Sequence, residues 1–387
     1  MAEPVSQTAP LVSADLKDYE TPGLDVAGFQ LRSEVETMLT ADDNVYASST
    51  GKRSDAVFRL SAGLEARRKI GNVELRATGK TSIRRMATLT SENAETASTE
   101  IGVFWEPSAS HRFNFSGGWS RLVEDRGDPE ALNLQSTGPR LTNLLEAQAQ
   151  YRHEGGRIFV AADTAVRKYD VLGLSNSERD FTSLIGSLTL GYSVSSQVYG
   201  TVTGYVNNRN FRLPVTIAGF DQDATTIGGR LGFSTKGEGL VQGRVGIGLF
   251  RLNPSDPTLD GRSGLSADVS LIVRPRRRTA ITLDISAGDV ATFRLGAIAR
   301  SDKRASLSIQ QEARHNLYGT LGFVIRESTF LGSGIKERTI GPNLEIEWLL
   351  RRGMSLVGFA TYQHRSSDDP IEGFERFRGG ISLRFRY

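Results

Sequence analysis

Apolar residues recur at every second position through about eighteen short segments of this chain, and the segments are joined by alternately short and long polar connections. A strand sends successive side chains to opposite faces, so each such segment has one greasy and one polar side. The last segment shows the pattern clearly. Phe377, Gly379, Ile381, Leu383, Phe385 and Tyr387 alternate with Arg378, Gly380, Ser382, Arg384 and Arg386. A soluble sheet would bury the greasy face in a core, whereas a membrane barrel would turn it to lipid and the arginines to a wet lumen.

The connections favour the barrel. Short ones include Gly71-Asn72, Gly155-Gly156, Pro275 to Arg278 and Arg351 to Gly353. Long polar ones fall over residues 41–54, 122–142, 170–181, 208–224, 252–264, 290–303, 328–338 and 366–376. Tight turns at one rim and longer loops at the other are how outer-membrane barrels are built. The chain shows no apolar run near the ~20 residues of a membrane helix. The expected fold is therefore all-β: one transmembrane antiparallel up-and-down outer-membrane barrel of about 18 strands over residues 27–387. Residues 1–26, rich in Pro, Ser, Thr and Asp, read as a flexible periplasmic N-terminal segment. Met1-Ala2-Glu3-Pro4 reads as a mature start with no signal peptide, or as Met in place of a removed leader. Two segments, near residues 197–207 and 354–365, leave the outer face undecided.

The charge is unusual in kind. The net charge is only +3, but 39 of the 47 basic residues are arginine. Guanidinium is permanently charged and suits bidentate contact with carboxylate or phosphate. The alternation places Arg32, Arg59, Arg67, Arg76, Lys80, Arg84, Arg112, Arg152, Arg167, Arg230, Arg244, Arg274, Arg314, Arg378, Arg384 and Arg386 on the lumen side. Carboxylates share that side, among them Glu34, Glu36, Glu65, Glu146, Asp268, Glu345 and Glu347. Two readings stay open: an electropositive path for an anionic solute, or polar filling whose charges pair across strands. Trp105, Trp119, Tyr151, Tyr192, Trp348, Phe385 and Tyr387 fall near strand ends on the apolar face, where aromatic girdles meet the membrane interface.

Little points to covalent chemistry. His111, His153, His315 and His364 sit near turns and loops, and none shares a strand face with an obvious nucleophile or carboxylate. Gly-Gly pairs such as Gly117-Gly118 precede no helix and are not phosphate loops. Asp42-Asp43-Asn44 and Ser367-Asp368-Asp369 align too few oxygens for a calcium site. With no cysteine there is no thiolate metal site either. The expectation is a non-enzymatic protein without cofactor or metal. Nucleic acid is not an expected partner, since the net charge is small and the arginines face inward.

Certain short stretches resemble a known family. Thr40-Ala-Asp-Asp-Asn-Val-Tyr46, the following Ser54-Asp55, and Tyr362-Gln-His-Arg-Ser-Ser-Asp368 before an aromatic-ended last strand are similar to the opening and closing hairpins of the putative β-barrel porin 2 family. The resemblance runs from about Phe29 to Tyr387. It implies an outer-membrane barrel of a kind often associated with exopolysaccharide synthesis and export. The expected function is a channel, first for export of an anionic exopolysaccharide through the Arg-rich lumen. The alternatives are an anion-preferring diffusion porin for small solutes, or a structural, surface-anchoring barrel with a closed lumen. The expected partners are outer-membrane lipid and lipopolysaccharide, anionic polysaccharide or small anions, the barrel-assembly machinery and periplasmic polysaccharide-export proteins.

Overall fold

A computed structural model describes residues 19, 21–129, 131, 138–173, 179–213, 221–236, 239–292, 297 and 299–387. A short strand β1 (Leu24–Val26) pairs with the start of β2 (Phe29–Asp42) through a two-residue turn, Ala27-Gly28, in which both φ angles are positive. That turn type matches the twist of a hairpin. There follow β3 (Asp55–Ile70), β4 (Val73–Met86), β5 (Ala94–Ser108), β6 (His111–Val123), β7 (Leu141–Gly155) and β8 (Ile158–Val171). Next come β9 (Phe181–Ser193), β10 (Val198–Phe211), β11 (Ala224–Thr235), β12 (Val241–Pro254), β13 (Arg262–Arg276) and β14 (Thr279–Val290). The chain ends with β15 (Ala299–Arg314), β16 (Leu317–Leu331), β17 (Lys336–Arg351), β18 (Met354–Ser367) and β19 (Phe374–Arg386).

From β2 onward each strand pairs antiparallel with the next, and β19 pairs back onto β2, so the 18 long strands close an antiparallel barrel. Closure satisfies every edge N–H and C=O inside the membrane, where no water is available to do so. The outward faces carry large apolar side chains that nothing in the chain covers. Ile101, Leu231 and Leu249 are each 68% exposed. In water such a band would drive aggregation; against acyl chains it is the stabilising surface. The two undecided segments resolve the same way. Val202 and Val206 of β10 face out, while Tyr205 reaches inward to Ser266. Leu356 and Tyr362 of β18 face out, while Ser355, Val357 and Arg365 are buried inside.

Boundaries differ from expectation because the strands run 12–16 residues, longer than the ~9–11 that cross a bilayer. The long connection expected over 328–338 shrinks to 332–335, and the alternation expectation omitted a connection, 87–93, which carries a 3-10 turn at Thr90–Glu92. The expected N-terminal segment lies mostly outside the described residues.

Besides β5–β6, whose register shifts between Trp105 and Ser108, three successive hairpins at the short-turn rim carry a bulge. It falls between Val273 and Arg276 on β13, Glu312 and Arg314 on β15, and Leu349 and Arg351 on β17. A bulge inserts one residue and re-aims the side chains beyond it. This corrects one lumen assignment. Arg314 pairs with Leu317, which pairs with the outward Trp348, so Arg314 stands on the outer face of the rim and not in the lumen.

The aromatics concentrate at that rim. Trp105 stacks on Phe113 at 5.0 Å, and Phe113 meets Tyr151 in a tilted contact at 4.9 Å. Tyr192, Trp348, Phe385 and Tyr387 are exposed near the same end, whereas Trp119 stands toward the opposite rim. Tyr387 holds the last strand to β2 through paired backbone bonds with Ser33, 2.8 and 2.9 Å long. Replacing Phe385 and Tyr387 together by Asp is expected to lower the yield of assembled barrel, read as loss of the heat-modifiable band on a detergent gel. Unchanged yield would mean the girdle does not anchor the seam.

Candidate functional site: the outer mouth of the lumen

Most inward arginines are neutralised by a neighbour. Glu65 takes both Arg67 and, at 2.9 Å, Arg76; Arg167 pairs with Glu146 at 2.8 Å, and Asp268 takes Arg230 at 3.1 Å and Arg244 at 2.9 Å. Arg112 pairs with Glu106 at 3.2 Å and Arg152 with Glu154 at 3.2 Å; Arg274 donates to the Gln242 amide oxygen at 2.9 Å. Arg384 lies between Glu36 at 3.1 Å and Glu347 at 3.4 Å, and Arg386 holds Glu34 at 2.8 Å. Glu347, but not Glu345, is within ion-pair distance of this column.

One wall is different. Among the described residues no carboxylate lies within 4.0 Å of Arg32, Arg59, Lys80 or Arg84. Arg59 on β3 is the direct register partner of Arg84 on β4, and Lys80 lies two pleat periods along on the same face, beyond Ser82. Like charges set opposite one another destabilise a sheet; Arg84 offsets part of that cost by donating to the Glu92 carbonyl at 2.9 and 3.2 Å, and Asp125 attracts both guanidiniums from further off. Arg59 and Lys80 are inward and still exposed, so water reaches them.

Above this wall three connections fold into the long-loop mouth. The stretch Asn44-Val45-Tyr46-Ala47 is buried, and Val45 and Tyr46 pack with Val57, Met86 and Leu89. Asn44 donates to the carbonyls of Ser48 and Glu375, and Asp55 accepts the N–H groups of Thr88 and Leu89. The connection after β6 supplies Asp125 to Asp128. Arg376, buried on β19, donates to Asp42 at 2.6 Å and to Asp125 at 2.8 Å, and Arg378 reaches Asp125 at 3.1 Å. Arg126 forms a bidentate pair with buried Glu92, 2.6 and 3.1 Å. Gly127 accepts bonds from Arg365 and Gln363 of β18. A connection rooted at β6 and β7 thus reaches β18 and β19 across the lumen. Burial opposes the Asp125 charge, but Arg376 and Arg378 overcome it and hold this carboxyl well below the usual range. Asp128, facing burial and the Asp125 charge, is pushed up.

The opposite wall is closed differently. Phe250 and Leu252 of β12 pack inward against Ala224, Ala299 and Leu331, with Tyr205 alongside. Arg209 pairs with Asp289 at 2.6 Å, and Arg300 and Arg326 share Asp302. Tight strand approach makes this possible. A Cβ on Gly232 would lie 1.8 Å from the Val245 carbonyl oxygen, and one on Gly248 1.8 Å from that of Gly229. Only glycine fits at these two close approaches.

Asp42 and Asn44 of the acidic loop tip form the buried ion pair and Asn cap of this mouth. Among the described residues no group of acids and histidines could hold a metal. His111 bonds Tyr151 at 3.0 Å and lies against the tilted ring of His153, and His364 faces Glu375 at 3.6 Å. The inward packing of 43–47 and 124–128 left no periodic signal in the sequence; the buried Asp42, Asn44 and Asp55 were its only trace.

Solved structures resemble the chain only remotely. The outer membrane protein opdK of Pseudomonas aeruginosa is 8% identical, with 92% of this chain and 99% of that one covered and a TM-score of 0.48. The FrpB iron transporter of Neisseria meningitidis (F3-3 variant) is also 8% identical, with a TM-score of 0.48; 93% of this chain covers 65% of that chain, just under two thirds of its length. Among curated proteins no sequence matches. The family model described as putative beta-barrel porin 2 matches residues 17–387. With an antiparallel barrel whose apolar band faces outward, the chain is an outer-membrane β-barrel and belongs to the putative beta-barrel porin 2 family.

Proposed function

We propose that this barrel is a passive, non-enzymatic diffusion channel that prefers small anions such as carboxylates or phosphate esters. The observation that supports it most is a cationic wall without a close ion pair: Arg59 opposite Arg84, with Lys80 on the same face and water at hand. A charged wall raises the local concentration of the opposite ion and sets selectivity. The arginines of the last strand contribute less, because Glu34, Glu36 and Glu347 neutralise Arg384 and Arg386.

The test is a reversal potential across a planar bilayer with a salt gradient. Arg59→Glu with Arg84→Glu is expected to move preference from anions to cations, with Lys80→Glu adding to the shift. An unchanged potential would remove this wall from the conducting path. Export of an anionic exopolysaccharide is the second reading, supported by the continuity of Lys80, Arg84 and Arg59 along one wall. It requires a uronate polymer to block the current from the periplasmic side at low concentration.

A further inference from the structure

We infer that the short-turn rim over β13–β19 is a binding site for the phosphate headgroups of anionic phospholipids in the periplasmic leaflet. This is independent of what the lumen carries. Three consecutive hairpins share one device. In each, the bulge described above puts an arginine on the lipid-facing side of the rim. Arg314 is the first case. Arg276 pairs with Thr279, whose partner Gln311 is exposed on the outer face. Arg351 pairs with Met354, whose partner Phe385 is exposed among lipid-facing side chains. Without the bulges these arginines would alternate back toward the lumen.

All three are exposed, and among the described residues none has an ion pair or hydrogen-bond partner. Successive hairpins stand roughly 10 Å apart, two strand spacings. The arginines sit just past the aromatics Trp348, Phe385 and Tyr387, at the depth where phosphate headgroups begin. A surface used only for solubility would not need the same irregularity three times running.

A second observation stands beside the ladder. A cavity of about 310 Å³ opens at the β17–β18 turn, between β19 and β2. Val35, Met354 and Phe385 give it an apolar floor, and Arg351, Arg352 and Arg386 a cationic edge. Arg386 is committed to Glu34; Arg351 is not. An apolar floor under a guanidinium rim fits the upper acyl chain and phosphodiester of one phospholipid. A free anion would leave the floor unfilled.

The experiment reconstitutes the full chain in nanodiscs of phosphatidylcholine containing a minority of phosphatidylglycerol. The protein is then extracted in mild detergent and its retained lipid is counted by native mass spectrometry. Wild type is expected to keep phosphatidylglycerol in excess over phosphatidylcholine. R276Q/R314Q/R351Q is expected to keep it roughly 100-fold less tightly, about fivefold per arginine. R157Q, at an exposed turn elsewhere on the same rim, is expected to retain it as wild type does. Each single variant carries the same readout should the triple variant assemble poorly. Equal retention of the two lipids, wild-type retention by the ladder variants, or displacement by excess inorganic phosphate would each overturn the proposal.

Discussion

Arg376→Ala is expected to cost the barrel most of its stability at the loop end, about 3–5 kcal/mol. The guanidinium is buried and holds Asp42 with three contacts and Asp125 with one. Removing it strands the buried Asp42 carboxylate and leaves the half-buried Asp125 to Arg378 alone, and an unpaired buried charge costs more than the pair contributed. Arg376→Lys should recover only part of the loss, because a single ammonium cannot reproduce the forked contact with Asp42. The measurement is the temperature at which the compact band on a detergent gel converts to the unfolded one. A conversion temperature unchanged from wild type would mean that the mouth is not held by this cluster.

Asp125→Ala together with Arg126→Ala should raise single-channel conductance several-fold while leaving the barrel assembled. These two residues tie the connection after β6 to Arg376, Arg378 and Glu92 on other parts of the wall. Freed of both, the segment keeps only the Gly127 carbonyl and the nearby Asp128 to hold it to Arg365 and Gln363. Conductance equal to wild type would show that the segment does not limit flow. Acid should not imitate the variant. A carboxyl with a depressed pKa contributes stability that is complete above its unfolded value, about 3.9, and is lost only as pH falls through the folded value. For Asp125 that value lies well below the ordinary range, so a change from pH 7 to pH 5 should leave its contacts in place.

The strand faces were legible because lipid imposes a strict rule on them. Leu145, Leu188, Ile247 and Leu344 could be assigned from alternation alone, and each is exposed on the outer face. Alternation failed where a bulge breaks the period, as at Arg314, and it was silent where both faces carry apolar residues. Val357 of β18 is apolar and buried inside, while its neighbour Leu356 is apolar and outside. The mouth was not legible for another reason. Its contacts join Asp125 to Arg376 and Gly127 to Arg365, partners 251 and 238 positions apart, and no local pattern encodes which distant cation a loop acid will meet. The Arg-rich lumen was half legible: the residue types and faces were plain, but Arg384 and Arg386 could not be told from Arg59 until their neighbours were known.

The junction of β19 with β2 has a meaning beyond closure. Arg378 stands opposite Asp42, Arg384 opposite Glu36 and Arg386 opposite Glu34. Slide β19 by two residues one way and Arg386 meets Arg32 while Arg378 meets Thr40; slide it the other way and Arg384 meets Met38 while Asp42 faces Gly380. Neither slip flips a single side chain to the wrong face, so the hydrophobic pattern cannot reject them. The charges can. The last strand to arrive carries a three-letter code that only one alignment with the first strand reads correctly, and the ring can therefore shut in one frame.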